Sequence, residues 1–239
     1  MKLIALGDTH GRTDWKPITA REKYDKVVFV GDYFDSHEQI SPHQQIENFE
    51  EIVAFKKDNP EQVVLLFGNH DYHYLPDVRE RYSGYQPALK ASVQPLLTSA
   101  IDEGLLQMCF VWENLLFSHA GVTKTWCQRN HIPLESMVES INHLLRHRPA
   151  SFAFTPGVND DPTGDDVEQS PIWVRPASLR KDLMGDFIQV VGHTVQKNLK
   201  VNEPLILIDV LVTSGEYLIW EDFQLRPGSR FSLPESTIT

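Results

Sequence analysis

The sequence predicts an α/β fold organised on a parallel sheet, and three strand ends predict it. Leu3-Ile4-Ala5-Leu6 runs into Gly7-Asp8-Thr9-His10-Gly11. Val27-Val28-Phe29-Val30 runs into Gly31-Asp32-Tyr33-Phe34-Asp35, and Val63-Val64-Leu65-Leu66-Phe67 into Gly68-Asn69-His70-Asp71. Each is a short apolar run closed by turn residues, the pattern of a buried strand. Each then offers a glycine, which lets the backbone turn sharply and approach a ligand. Between the second and third runs, Pro42 to Lys57 reads as a helix. Ser41 can cap it, Pro42 suits its first turn, and Ile46, Phe49, Ile52, Val53 and Phe55 form an apolar stripe. Strand, helix, strand implies a parallel sheet. Asp, His and Asn at its carboxyl edge then predict one shared metal site in the crevice there.

The remaining elements follow in order. Arg12 to Lys26 is polar and reads as a loop with a short helix. Tyr72 to Pro87, rich in aromatics, reads as a loop overhanging the site, and Ala88 to Ile101 as a helix. Leu106 to Trp112 and Asn114 to Ser118 read as a hairpin with a turn at Glu113-Asn114. Its second arm ends in Ser118-His119-Ala120-Gly121, the same strand-then-ligand layout. Ile132 to His147 is expected to be helical, and Pro149 to Pro176 to be an irregular insertion marked by its Pro, Gly and Asp clusters. Phe187 to Val191 returns to strand and delivers Gly192-His193-Thr194. Leu205 to Val212 and Tyr217 to Trp220 are expected as two strands joined at Ser214-Gly215. The division is one domain over 1–226, with lid loops at 72–87 and 149–176, and a loose tail over 227–239.

Composition narrows the function classes. The 239 residues carry 33 acidic and 22 basic side chains, a net charge of −11, so no duplex nucleic acid is expected as a partner. No apolar run reaches membrane-spanning length, and the apolar stretch after Met1 is too short for a signal peptide. With only Cys109 and Cys127, no disulfide framework is expected, and a reducing cytoplasm is the expected location.

The donor set is Asp8, His10, Asp32, Asn69, His119 and His193. Two carboxylates, three imidazoles and one amide oxygen suit borderline divalent metals rather than a calcium cage. Six side chains exceed what one catalytic ion with an open position needs; two ions sharing one carboxylate fit the count.

Five stretches together, Gly7 to Gly11, Gly31 to Asp35, Gly68 to Asp71, Ser118 to Gly121 and Gly192 to Thr194, resemble the calcineurin-like metallophosphoesterases. The likeness is nearest the branch of serine/threonine phosphoprotein phosphatases and diadenosine tetraphosphate hydrolases. The resemblance implies a four-layer double β-sandwich flanked by helices. It implies two divalent ions, manganese foremost, with iron, zinc, cobalt or nickel as alternatives. Asp8 and His10 would bind the first ion, Asp32 would bridge, and Asn69, His119 and His193 would bind the second. His70 would protonate the leaving group and Asp35 would orient it. The implied activity is hydrolysis of a phosphomonoester or nucleotide-type phosphoanhydride by a metal-bound hydroxide. The alternatives are a phosphodiesterase acting on cyclic nucleotides or nucleic-acid ends, and a serine/threonine protein phosphatase.

Departures from the family pattern bear on the substrate. Ser36 and Phe67 stand where the phosphoprotein phosphatases carry arginines, which makes a small phosphorylated substrate the first expectation and a protein the second. Arg175 and, behind it, Arg12 are the candidate phosphate-facing cations. Val195 stands where other branches add a histidine, so three side chains would hold the first ion. His37, His43, His73, His131, His143 and His147 fit no motif and read as surface or packing residues, with His37 and His73 near enough to touch substrate. Tyr72, Tyr74, Tyr82 and Tyr85 read as loop packing in preference to a base-stacking platform.

Overall fold

Along β1 (Lys2–Leu6) alternate side chains enter different cores. Leu3 and Ala5 face a second sheet, whereas Ile4 and Leu6 face helices. The same split separates Val28 from Val27 and Phe29 in β2 (Lys26–Phe29), and Val64 and Leu66 from Val63 and Leu65 in β3 (Val63–Leu66). Burial on both faces is why these strands read as continuous apolar runs rather than alternating ones. The structure, a computed structural model, describes residues 1–79, 81–158 and 161–231.

Six strands form the first sheet in the order β10-β9-β1-β2-β3-β4. β1 to β4 (Leu106–Gln107) are parallel, with Ile4 opposite Val27 and Val27 opposite Val63. β9 (Glu216–Glu221) joins β1 antiparallel, and β10 (Gln224–Ser229) continues as a hairpin. The second sheet runs β5 (Cys109–Trp112), β6 (Leu115–Ser118), β7 (Ile188–Val191), β8 (Leu205–Leu207), parallel from β6 onward. Leu66, Phe117, Val190, Ile206 and Leu218 fill the space between the sheets. Helices α1 (Trp15–Arg21), α2 (Pro42–Asp58) and α4 (Pro87–Asp102) supply residues to the core outside the first sheet, and α5 (Lys124–Arg129) and α6 (Met137–His147) add to the same cluster from the second. The architecture is two mixed sheets flanked by helices, as expected. The helix over 42–57 forms with the full capping box, Ser41 with Gln44.

Four expectations need correction. The arm 106–112 is not one strand of a hairpin: β4 closes the first sheet, Met108 is buried at a crossing, and only β5 pairs with β6. Asn142 of α6 holds this crossing, its Oδ1 accepting from the amides of Met108 and Cys109 at 2.8 and 3.0 Å. Likewise β8 ends at Leu207, and the turn at 214–215 carries the chain back to the other sheet rather than joining a hairpin. The helix expected from Ile132 starts at Met137, because Pro133 is extended and a 3-10 turn over Leu134–Ser136 intervenes. The tail expected from Pro227 begins inside β10, at the sheet edge where a missing N–H is tolerated. Residues 232–239 of that tail lie outside the described residues.

Candidate metal centre

Five parallel strand ends face one crevice. β1 delivers Asp8 and His10, β2 delivers Asp32 and Asp35, and β3 leads into α3 (Asn69–Tyr72). β6 and β7 of the other sheet deliver His119 and His193. The turns are sharp enough that His10, Asp32, Asp35 and His193 all take positive φ, from 44° to 61°. Clustering of that uncommon conformation at one crevice marks backbone held for function. Two glycines allow the closest approaches. A Cβ on Gly68 would overlap Asp32 Oδ1, and one on Gly192 would overlap Asp8 Oδ1.

Hydrogen bonds set the ring faces. His10 Nδ1 lies 2.7 Å from the Phe34 carbonyl and His119 Nδ1 lies 2.9 Å from that of Val30. A carbonyl only accepts, so each Nδ1 carries the proton, and Nε2 is the nitrogen each ring turns inward as a possible metal ligand. His119 Nε2 then faces Asn69 Oδ1 at 2.8 Å and Asp32 Oδ2 at 3.3 Å; His10 Nε2 lies 3.8 Å from Asp32 Oδ2. His193 Nδ1 is 2.8 Å from Asn69 Oδ1. Lone pairs converging on lone pairs call for a cation between them. Among the described residues three groups of ligand atoms lie within 4.8 Å of one another: Asp8, His10, Asp32; Asp32, His119, His193; and Asp35, His70, His73. Asp32 belongs to the first two, whereas the third already pairs its carboxylate with both rings. Asp8 Oδ1 is buried without a hydrogen-bond partner. The donor set therefore fits divalent metal.

Electrostatics agree. Burial pushes the Asp8 carboxyl well up, and the charges of Asp209 and Asp32 push it further. Burial and Asp32 raise Asp209 to about 6. Burial lowers His10 to about 4, which keeps its lone pair free. Bringing several acids out of water beside one another is costly unless a cation compensates.

A model of the calcineurin-like phosphoesterase family matches residues 1–197. The chain belongs to this family. It is accordingly a metal-dependent phosphoric ester hydrolase. No curated protein matches it. Among solved structures, a cold-active protein-tyrosine phosphatase from a Shewanella species is similar, with TM-score 0.65 and 22% identity. That match covers 96% of this chain and 78% of the other. A protein serine/threonine phosphatase from Saccharomyces cerevisiae follows at TM-score 0.54 and 14% identity, covering 98% and 82%. At these identities the likeness is one of fold.

The phosphoesterase brings all six expected donors together. His70 stands beside them, its Nδ1 3.0 Å from Asp35 Oδ2 and its amide donating to Asp32 Oδ1 at 2.8 Å. Arg175 lies at the rim, donating from Nη1 to the His193 carbonyl at 3.3 Å. Arg12 turns back, donating to the Asp8 carbonyl at 2.8 Å. His37 is exposed, its ring 5.4 Å from that of His10. His73 is not a surface residue: it is 1% exposed and bonds Asp35. The tyrosines pack as expected, Tyr72 and Tyr74 buried and Tyr82 against Trp173 at 4.3 Å.

Two acids escaped the reading of the sequence. Asp71 accepts from the amides of Asp32, Tyr33 and Gly68 at 2.9 to 3.0 Å and so ties the second and third loops together. Asp209 follows the apolar run Leu205 to Ile208, and that strand-then-acid layout was the available signal.

Proposed function

We propose that this phosphoesterase uses two divalent ions, manganese foremost, to hydrolyse a phosphomonoester. Asp8, His10 and Asp32 would hold the first ion, and Asp32, Asn69, His119 and His193 the second. The observation that supports this is the membership of Asp32 in two ligand clusters. When bound, such ions supply Lewis acidity to the phosphoryl oxygens and make water a nucleophile near neutral pH.

The chain's own residues supply orientation and the proton. Asp8 Oδ2 accepts from the His193 amide at 2.9 Å, which ties loops of the two sheets across the crevice. Burial opposes a charged ring at His70, but Asp32 and Asp35 outweigh it and raise its pKa. With Nδ1 directed at Asp35, the charged ring would present an Nε2 proton to the leaving group. As the P–O bond to water forms on one side, the bond to the leaving group breaks on the other, and that proton passes to the leaving oxygen. Asp35 stabilises the imidazolium beforehand.

Arg175 is the cation we assign to the substrate phosphate. Phe67 is fully buried, and the Ser36 amide donates to Gln45, so neither position replaces the arginine of the protein phosphatases. A groove of about 810 Å³ begins at Gly11, next in the chain to His10, and runs past Lys16 to Arg230. The tyrosines are occupied with each other, which ranks nucleotide anhydrides below the monoester. The buried free thiols of Cys109 and Cys127 suit the cytoplasm. The test is turnover of p-nitrophenyl phosphate and its bis-ester by manganese-loaded protein, with metal counted per chain. Faster monoester hydrolysis, about two ions per chain and loss of both in Asp32→Asn are expected. Failure on both esters, or preference for the diester, overturns the reading.

A further inference from the structure

Asp35 is fully buried, and its carboxylate meets three donors. His70 Nδ1 lies 3.0 Å from Oδ2, His73 Nε2 lies 2.6 Å from the same oxygen, and the Tyr74 hydroxyl donates to Oδ1. A carboxylate only accepts, so His73 carries its proton on Nε2. Its other nitrogen, Nδ1, is buried with no hydrogen-bond partner. The ring is enclosed by Tyr74 at 4.6 Å, Tyr85 at 5.0 Å and Tyr82 at 6.1 Å. A phenylalanine would fill such a cage without the cost of burying an unpaired nitrogen. What histidine adds there is the bond to Asp35.

The same loop also touches His70 itself. Gly84 has φ +85°, and a Cβ built on it would lie 2.9 Å from His70 Cε1. The Gln86 amide donates to the Tyr74 hydroxyl at 3.0 Å, closing the loop behind it. His73, Tyr74, Gly84 and Gln86 thus surround the acid and its partner from one side.

We propose that His73, with Tyr74 beside it, is the positioning residue that locks Asp35 so that His70 presents its proton to the leaving oxygen. This rests on His70 being the proton donor. His73 does not reach the reacting atoms; it acts through Asp35.

Leaving-group dependence tests it, because dinitrophenolate departs without a proton and an alkoxide does not. Metal-loaded protein and its variants are assayed on 2,4-dinitrophenyl phosphate and on β-glycerophosphate. In His73→Ala, kcat on the alkyl ester should fall about tenfold or more, and on the dinitrophenyl ester less than about threefold, with KM held within about twofold. His73→Gln, whose amide can donate in place of Nε2, should recover most of the loss. Tyr74→Phe should show the same bias, smaller, and carries the test alone if His73→Ala does not fold. Equal losses on the two esters, or no loss on either, overturn the proposal. His70→Ala separates the two levels. A strong bias there with none in His73→Ala leaves the acid in place and removes the positioning role. No bias in His70→Ala removes both.

Discussion

The half of the crevice proposed to hold metal and the half proposed to give the proton are built on opposite terms. The first draws Asp8, Asp32, Asn69, His119 and His193 from both sheets, and it leaves Asp8 Oδ1 and His193 Nε2 buried without hydrogen-bond partners. The second draws Asp35, His70, His73 and Tyr74 from one sheet and the loop above it, and every acceptor atom of Asp35 already meets a donor. One half is of the kind that cations from outside would complete; in the other the carboxylate finds its donors within its own chain. Asp32 joins them, since it belongs to two ligand clusters and accepts the His70 amide. The lesson is that electrostatic completeness differs across a few ångströms, so the two halves should fail in different ways.

The largest expected effect comes from breaking the shared member. Asp32→Asn should lower kcat/KM by more than about a hundredfold, beyond what outer partners of a metal cost, and elemental analysis should show ions lost from the protein. Next, His70→Ala should lower kcat by about a hundredfold on esters with poor leaving groups, with the metal content unchanged. Ions lost from His70→Ala would erase the distinction between the halves. Third, manganese should stabilise the fold by crowding relief at Asp8 and Asp209. At a hundred times Kd the gain is about 2.7 kcal/mol, or about 5–10 °C in Tm for a chain of this size. Calorimetry with and without chelator reads it, and no shift would mean the carboxylates tolerate one another unaided.

The smallest effect sharpens the comparison with an ordinary polar contact far from the crevice. Burial pushes Glu22 upward, but hydrogen bonds from Lys2 and Tyr217 outweigh it and hold its pKa below the usual 4.5. A depressed carboxyl stabilises the fold above its unfolded pKa and loses that contribution as pH falls through the folded value. Glu22→Gln should therefore melt slightly earlier than the parent at pH 7, and the gap should narrow as pH falls toward 3, by calorimetry across that range. A gap that did not change with pH would assign the effect to packing.

Much of the centre was legible because its signals are local. An apolar run, a glycine and a ligand are contiguous at Asp8, Asp32, Asn69 and His193, with Ser118 in the glycine's place before His119, so strand and donor announce each other. His73 had no such signal. It lies 38 positions from Asp35, in a loop whose aromatics are as consistent with packing as with chemistry, and only the fold brings its Nε2 to 2.6 Å. Asp209 carried the layout, but its neighbour Asp8 is at the other end of the chain. The crossings at Met108 and after Leu207 were missed for a related reason. A run of apolar residues does not say which sheet it pairs with, since both sheets bury both faces.

The sequence by itself determined β1 to β3, the helix over 42–57, the order of the candidate ligands and the family, because those depend on neighbours within a few positions. Only the tertiary structure decided how the chain passes between sheets, that Asp71 fastens the second loop to the third, and that His73 stands behind Asp35. These are contacts between segments distant in the chain, set by which faces two sheets bury against each other, and no local pattern encodes them.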